Sequence, residues 1–332
     1  MTTPRARIAA ALRAVGRILL VNHVEPDGDT LGSTLALALA LEHLGKTVVV
    51  GSAGGVPPPF GFLPGADRIV PGVPPDAIFD AAVTMECSTL ERCGAFAPAV
   101  QAAPLVITID HHESHVAYGH LDDWDPTAAA AAEMVTDLIR ELGVPLTPAM
   151  ATALLVALTT DTGVFRFPSV RPGTLRLAAT LMDAGAPLAE IVARIYEQRT
   201  LPAHRLLGYA LLRTVVALDG AAAYATLTEG VRRAAEATGD EAAGIVGMLR
   251  QMQGVRVAML FEEIPGGVRV SIRARDGVRA HVIAEAFGGG GHPGAAGCTL
   301  PGTLAEAIPA VLAAAAAELH RPNGTGEPWT ES

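Results

Sequence analysis

Four short apolar runs set the terms on which this chain can fold: Arg17 to Asn22, Thr47 to Ser52, Ala81 to Glu86 and Leu105 to Asp110. Each is bounded by Gly, Pro or a charge, and stretches of helical length stand between some of them, such as Thr30 to Leu44 ahead of Gly45. Strands that alternate with helices predict an α/β domain, a mostly parallel sheet flanked by helices on both faces. Ala128 to Leu142, Pro148 to Leu158, Pro172 to Ala184 and Leu188 to Tyr196 read as a helical cluster closing that domain. Met1 to Arg17 reads as an opening helix, and Pro202 to Val216 as a helix that carries the chain onward.

Beyond Ala221 the pattern changes. AAYATLT, VRVAMLFEEI and VRVSIRAR read as strands, the last two joined by the Pro265-Gly266-Gly267 turn. A second, smaller α+β domain is expected. The organisation predicted is a first domain over 1–187, connecting helices over 188–218, a second domain over 219–320, and a polar, Pro- and Gly-containing tail over 321–332 expected to be disordered.

Composition works by exclusion. A chain of 332 residues suits two cores rather than one. Half of it is hydrophobic, yet no run reaches the ~20 apolar residues of a membrane span, so no membrane partner is expected. Three cysteines without C-x-x-C spacing argue against a disulfide framework or a structural zinc, and the default expectation is a cytoplasmic location. A formal charge of -10 argues against binding long duplex DNA through its phosphates. Acids gathered around divalent cations are neutralised by them, so a local anion-binding surface stays compatible with that charge.

Chemistry collects where the apolar runs end. His23-Val24-Glu25-Pro26-Asp27-Gly28-Asp29 follows the first run and precedes a helix, where open α/β sheets bind ligands. Its imidazole and carboxylates suit Mn²⁺ or a similar ion; the plainer alternative is a loop whose Asp residues cap the helix. Asp110-His111-His112 ends the fourth run and could divide labour between metal and substrate, with Asp110 orienting an imidazole; the alternative is a solvated turn. Asp161, in TTDTG, ends a long helical stretch, and Glu86 ends the third run. Four such termini, each presenting a metal-capable group, fit the layout of a site in which ions ~3.5–4 Å apart clamp the attacking and leaving oxygens. In the second domain, Gly288 to Gly291, followed by His292-Pro293-Gly294, lets backbone N–H groups approach a phosphate; the alternative is a flexible linker. Arg273 and Arg275 alternate on the preceding strand.

Taken in order, HVEPDGD, the Glu86 to Arg92 segment, DHH, TTDTG with Phe165-Arg166 behind it, and SIRAR leading to GGGGHPGAAG make the chain resemble the DHH phosphoesterases with a DHH-associated C-terminal domain. Within them it is most similar to the oligoribonuclease and pAp-phosphatase (nanoRNase) group, over roughly residues 15 to 318. That resemblance implies a cleft between the domains holding two divalent ions, usually Mn²⁺, with Mg²⁺ or Co²⁺ as alternatives, and hydrolysis by a metal-activated water. It implies that His23 and Asp27 hold one ion, that Asp29, His111 and Asp161 hold the other, and that Glu86 bridges both. His112 would face the scissile phosphate with Asp110 supporting the histidines, while Arg166, Arg273, Gly290, Gly291 and His292 would bind substrate. The implied substrates are short RNA oligonucleotides or 3′-phosphoadenosine 5′-phosphate (pAp), with a cyclic-dinucleotide phosphodiesterase as the alternative. A homodimer remains open.

Two departures stand out. The bridging position normally carries Asp, so Glu86 adds a methylene and raises the alternative of a catalytically weakened nucleotide-binding module. Small hydroxyl residues that often precede the position of Glu133 are here Ala129 to Ala132. His43, His115, His120, His204 and His281 match no metal position.

Overall fold

The computed structural model describes residues 3–75, 77–238 and 241–321. They form two compact units, divided between Gln198 and Arg199. That division falls inside the 188–218 stretch expected to connect the domains; of the expected tail, 322–332 lies outside the described residues.

The first unit runs α1 (Pro4–Ala14), β1 (Arg17–Asn22), α2 (Gly28–His43), β2 (Thr47–Ser52), β3 (Ala81–Met85), α3 (Ala97–Ala102), β4 (Leu105–Asp110), β5 (Leu121–Trp124), α4 (Ala131–Glu141), α5 (Pro148–Asp161), α6 (Pro172–Asp183) and α7 (Leu188–Tyr196). Its sheet has the order β2-β1-β3-β4-β5, and every pairing is parallel. Because β2 lies to one side of β1 and β3 to the other, the strand order reverses at β1. Ligands of open parallel sheets bind at such a point, beyond the carboxyl ends of the strands.

One helix pair positions much of the site. Both α2 and α5 are buried nearly throughout, and α2 is built of small residues and leucine. A Cβ at Gly32 would stand 2.2 Å from the Ala153 carbonyl oxygen, and one at Gly28 would stand 2.5 Å from Thr160 side-chain atoms. Only glycine lets the two backbones come this close. The contact runs antiparallel, so the start of α2, with Asp29, meets the end of α5, with Asp161.

The second unit runs α8 (Leu201–Leu212), β6 (Val215–Ala217), β7 (Ala222–Leu227), α9 (Glu229–Ala234), α10 (Ile245–Arg250), β8 (Val257–Ile264), β9 (Gly267–Ala274), α11 (Ala280–Glu285), β10 (Gly290–His292), β11 (Ala295–Pro301) and α12 (Leu304–Leu319). Its sheet is mixed, in the order β10-β11-β9-β8-β7-β6, with β7 and β8 parallel. The helix expected over Pro202 to Val216 stops at Leu212, and Val215 and Val216 pair with β7 instead, as β-branched residues favour. Arg275 lies just past β9 and donates to the carbonyls of Val255 and Met252, which makes it a brace for the loop before β8.

A candidate two-metal centre at the carboxyl edge of the parallel sheet

His23 leaves β1 directly into the rim and is buried. Arg92 donates to its Nδ1 at 3.2 Å. Burial, only partly offset by Asp27, and then the Arg92 charge hold this imidazole down at about 4, so it is neutral and able to ligate. Asp27 fulfils the plainer alternative as well: it is the N-cap of α2, its Oδ1 accepting from the N–H groups of Asp29 and Thr30, both at 3.0 Å. One carboxyl can cap a helix and still offer its second oxygen to an ion.

Asp29 is 1% exposed. Its Oδ1 accepts from Ser33 Oγ at 2.9 Å and Ala132 N at 3.2 Å, and its Oδ2 from Ala131 N at 2.6 Å. The alanines that replace the expected hydroxyl residues thus contribute main-chain N–H groups at the start of α4, where a carboxylate is favoured. Burial nonetheless pushes the Asp29 carboxyl up, and Asp27 adds to the effect.

Glu86 follows β3 with φ 55°, a left-handed conformation that costs a non-glycine residue about 1–3 kcal/mol and is found where function demands it. Its side chain is 1% exposed. One carboxyl oxygen lies 3.0 Å from His111 Nε2, while the other is buried without a hydrogen-bond partner among the described residues. Burial, then Asp29 and Asp27, raise this acid well above the usual carboxylate range.

His111 donates from Nδ1 to the Ala128 carbonyl at 3.1 Å, which turns Nε2 toward three carboxylates. Those are Glu86 at 3.0 Å, Asp161 at 3.5 Å and Asp29 at 3.7 Å. Burial opposes its charge, but these acids, Glu86 foremost, lift the imidazole to about 11. Asp161, the last residue of α5, is raised to about 7 by burial and by Asp29.

Donor atoms fall into three overlapping groups, each within 4.8 Å: His23, Asp27 and Glu86; Asp29, His111 and Asp161; and Glu86, His111 and His112. Glu86 and His111 each belong to two of them. The chemistry fits divalent cations on this chain's own evidence. Among the described residues a buried carboxylate oxygen lacks a partner, and the acids crowd negative charge that a proton on His111 only partly offsets. Imidazole nitrogen with carboxylate oxygen suits Mn²⁺, Fe²⁺, Co²⁺ or Zn²⁺.

Asp110 is fully buried and shared by two imidazoles. His112 Nδ1 donates to Oδ1 at 2.8 Å, and His115 Nδ1 donates to Oδ2 at 2.9 Å. Against the effect of its burial, these partners and the His112 N–H hold Asp110 well below the usual range. His115, set aside on sequence grounds, therefore belongs to the site's support; the H-H-x-x-H spacing of 111, 112 and 115 was the available signal. Arg166 follows the left-handed residues Gly163, Val164 and Phe165, and its Nε donates to the Gly163 carbonyl at 2.6 Å.

In the second unit, Arg273 lies on β9 with its guanidinium lowered by burial and by the charge of Arg250, a residue the sequence did not single out. Gly290 and Gly291 lie on β10, an edge strand paired with β11, so the run is ordered sheet and not a linker. A Cβ at Gly291, φ 142°, would stand 2.5 Å from the Ala295 carbonyl oxygen, whereas one at Gly290 would meet nothing within 4 Å among the described residues. His292 ends β10; its side chain lies outside the described ones.

Residues 17–158 match the DHH family, N-terminal domain, and residues 219–321 match the DHHA1 domain. The chain is 40% identical over 320 residues to the bifunctional oligoribonuclease and PAP phosphatase NrnA of Thermus thermophilus, covering 95% of this chain and 94% of that protein. It is 27% identical over 286 residues to the protein of the same name from Bacillus subtilis, covering 85% and 89%. Among solved structures, an exopolyphosphatase-related protein from Bacteroides fragilis superposes with a TM-score of 0.87 at 24% identity, over 94% of this chain and 95% of that one, a likeness of fold.

Proposed function

We propose, since the chain belongs to the DHH phosphoesterase family and carries its DHHA1 domain, that it hydrolyses short oligoribonucleotides and pAp with Mn²⁺ as the preferred ion. The observation that carries the metal-dependent part is the partnerless buried oxygen of Glu86 amid converging acids and imidazoles. The activities named for the Thermus and Bacillus relatives support the choice of substrate.

We assign His23 and Asp27 to one ion, Asp29, His111 and Asp161 to the other, and Glu86 to both. A pair of divalent ions, when bound, lowers the pKa of a water and screens phosphate charge. The rest of the chemistry falls to the chain. Ala128 fixes the His111 ring so that Nε2 is the ligating atom. Asp110 holds His112 through Nδ1, and we assign His112 to face the phosphate and to hold or pass a proton at the leaving oxygen. Arg166 and, in the DHHA1 domain, Arg273, Gly290, Gly291 and His292 are assigned to the non-bridging oxygens, where donors stabilise developing charge. Arg273 and Arg250 repel one another, and a phosphate beside Arg273 relieves that repulsion.

The test is a panel of a ribodinucleotide, pAp, a cyclic dinucleotide and pyrophosphate, assayed with chelator and with Mn²⁺ or Mg²⁺. Hydrolysis of the first two, lost with chelator and best regained with Mn²⁺, is expected. Full activity in Asp29→Ala or His111→Ala protein would overturn the assignment.

A further inference from the structure

Trp124 ends β5, in register with Asp110 on the neighbouring strand. At 49% exposed it fills no core, although a tryptophan in water leaves a large apolar face uncovered. It is nonetheless held firmly. Its indole Nε1–H donates to the His112 carbonyl at 2.9 Å, and the ring stacks on His115 with centroids 6.1 Å apart and planes 18° apart. His115 is itself fixed by Asp110, and its side chain is 3% exposed. On the other side of the strand, Asp123 pairs with Arg5 of α1 at 2.9 Å, so both sides of this strand end are anchored. The result is a preset aromatic plate, backed on one side and hydrogen-bonded at its edge to the backbone of the histidine assigned to the phosphate.

We infer that Trp124 is a stacking platform for the nucleobase next to the reacting phosphate. The inference rests on the nucleotide-hydrolase reading above and deepens it. A planar base laid on the indole covers apolar surface without a base-specific hydrogen bond, since every base presents a π-face. It therefore favours nucleotides over phosphates without a base, and does so with little regard to sequence.

The chain has two tryptophans, Trp124 and Trp329, so in Trp329→Phe protein the emission reports Trp124 alone. With Mg²⁺ present, adenosine 5′-monophosphate is expected to quench that emission saturably while ribose 5-phosphate leaves it unchanged. Equal quenching by both, or by neither, overturns the inference. In steady-state hydrolysis, Trp124→Leu is expected to raise KM for a ribodinucleotide roughly 10-fold, the size of one base–aromatic stack, and Trp124→Phe to recover most of it. A loss confined to kcat, with a displaced pH profile, would instead make Trp124 a positioning residue for His112 and overturn the platform. Should the unaltered protein cleave no nucleotide with any divalent ion, the hydrolase reading fails on its own, and the quenching result still decides whether Trp124 takes a base.

Discussion

Glu86 concentrates the residue-scale physics of this protein. It occupies a left-handed backbone, keeps one buried carboxyl oxygen unpartnered among the described residues, and carries a raised pKa, so that once deprotonated it opposes folding unless a cation arrives. Its extra methylene relative to the usual Asp does not remove it from the cluster, because Oε1 still reaches His111 at 3.0 Å. Glu86→Gln is therefore expected to lower metal-dependent hydrolysis by roughly 100-fold or more while raising the Tm of the metal-free protein near pH 8. Thermal melts with chelator check the second half; a lowered Tm would show that Glu86 stabilises the empty fold. Asp110 plays the contrasting part, fully satisfied and below its usual pKa range. Asp110→Asn keeps the shape but withdraws the charge from His112 and His115, and a fall in kcat of about 10–100-fold with KM little changed is expected from steady-state kinetics.

At the scale of elements, two pairs of substitutions separate structural from chemical roles. Asp27→Ser retains an N-cap for α2 and removes a proposed ligand, whereas Asp27→Ala removes both. Denaturation should show the serine protein near wild type and the alanine protein about 1 kcal/mol less stable, with both inactive. On β10, Gly291→Ala meets the Ala295 carbonyl and should destabilise the second unit by about 1–3 kcal/mol. Gly290→Ala has open space and should leave stability alone while weakening substrate binding. Much of this scale was legible beforehand, because strands buried on both faces write continuous apolar runs, and the acids and histidines that end β1, β3 and β4 stand out against them. The elements that escaped lack that signature. Leu121-Asp122-Asp123-Trp124 forms an edge strand with Asp123 turned to Arg5, and Val215-Val216 reads as the continuation of a helix until β7 is there to pair with it. The convergence of Asp29 with Asp161 was legible only as a bet, since it depends on the glycine-tight crossing of α2 with α5, which local pattern does not encode.

Across the whole molecule, titration should couple stability to metal. Glu86, Asp29 and Asp161 are all raised, the last to about 7. Each binds its proton more tightly in the folded chain, so its contribution is full below the ordinary carboxylate range and is lost as pH rises through the raised value. His111, raised to about 11, contributes below 6.5 and loses that contribution as pH climbs toward its folded value. His23, lowered to about 4, acts in the opposite sense but only between about 4 and 6.5. Above pH 6.5 Asp161 and His111 act in one direction, and the Tm of the metal-free protein should fall between pH 6.5 and about pH 8. Divalent cations should restore it by an amount that grows over the same interval, because they bind the deprotonated acids. No helix among the described residues is long and apolar enough to cross a membrane.

The central claim is that residues remote in sequence build one seat for two cations. Calorimetric titration of the metal-free protein with Mn²⁺ tests it most directly. Two ions per chain are predicted, with high-affinity binding of the pair abolished in Glu86→Gln; a single ion, or none, or a stoichiometry unchanged by that substitution, would contradict it.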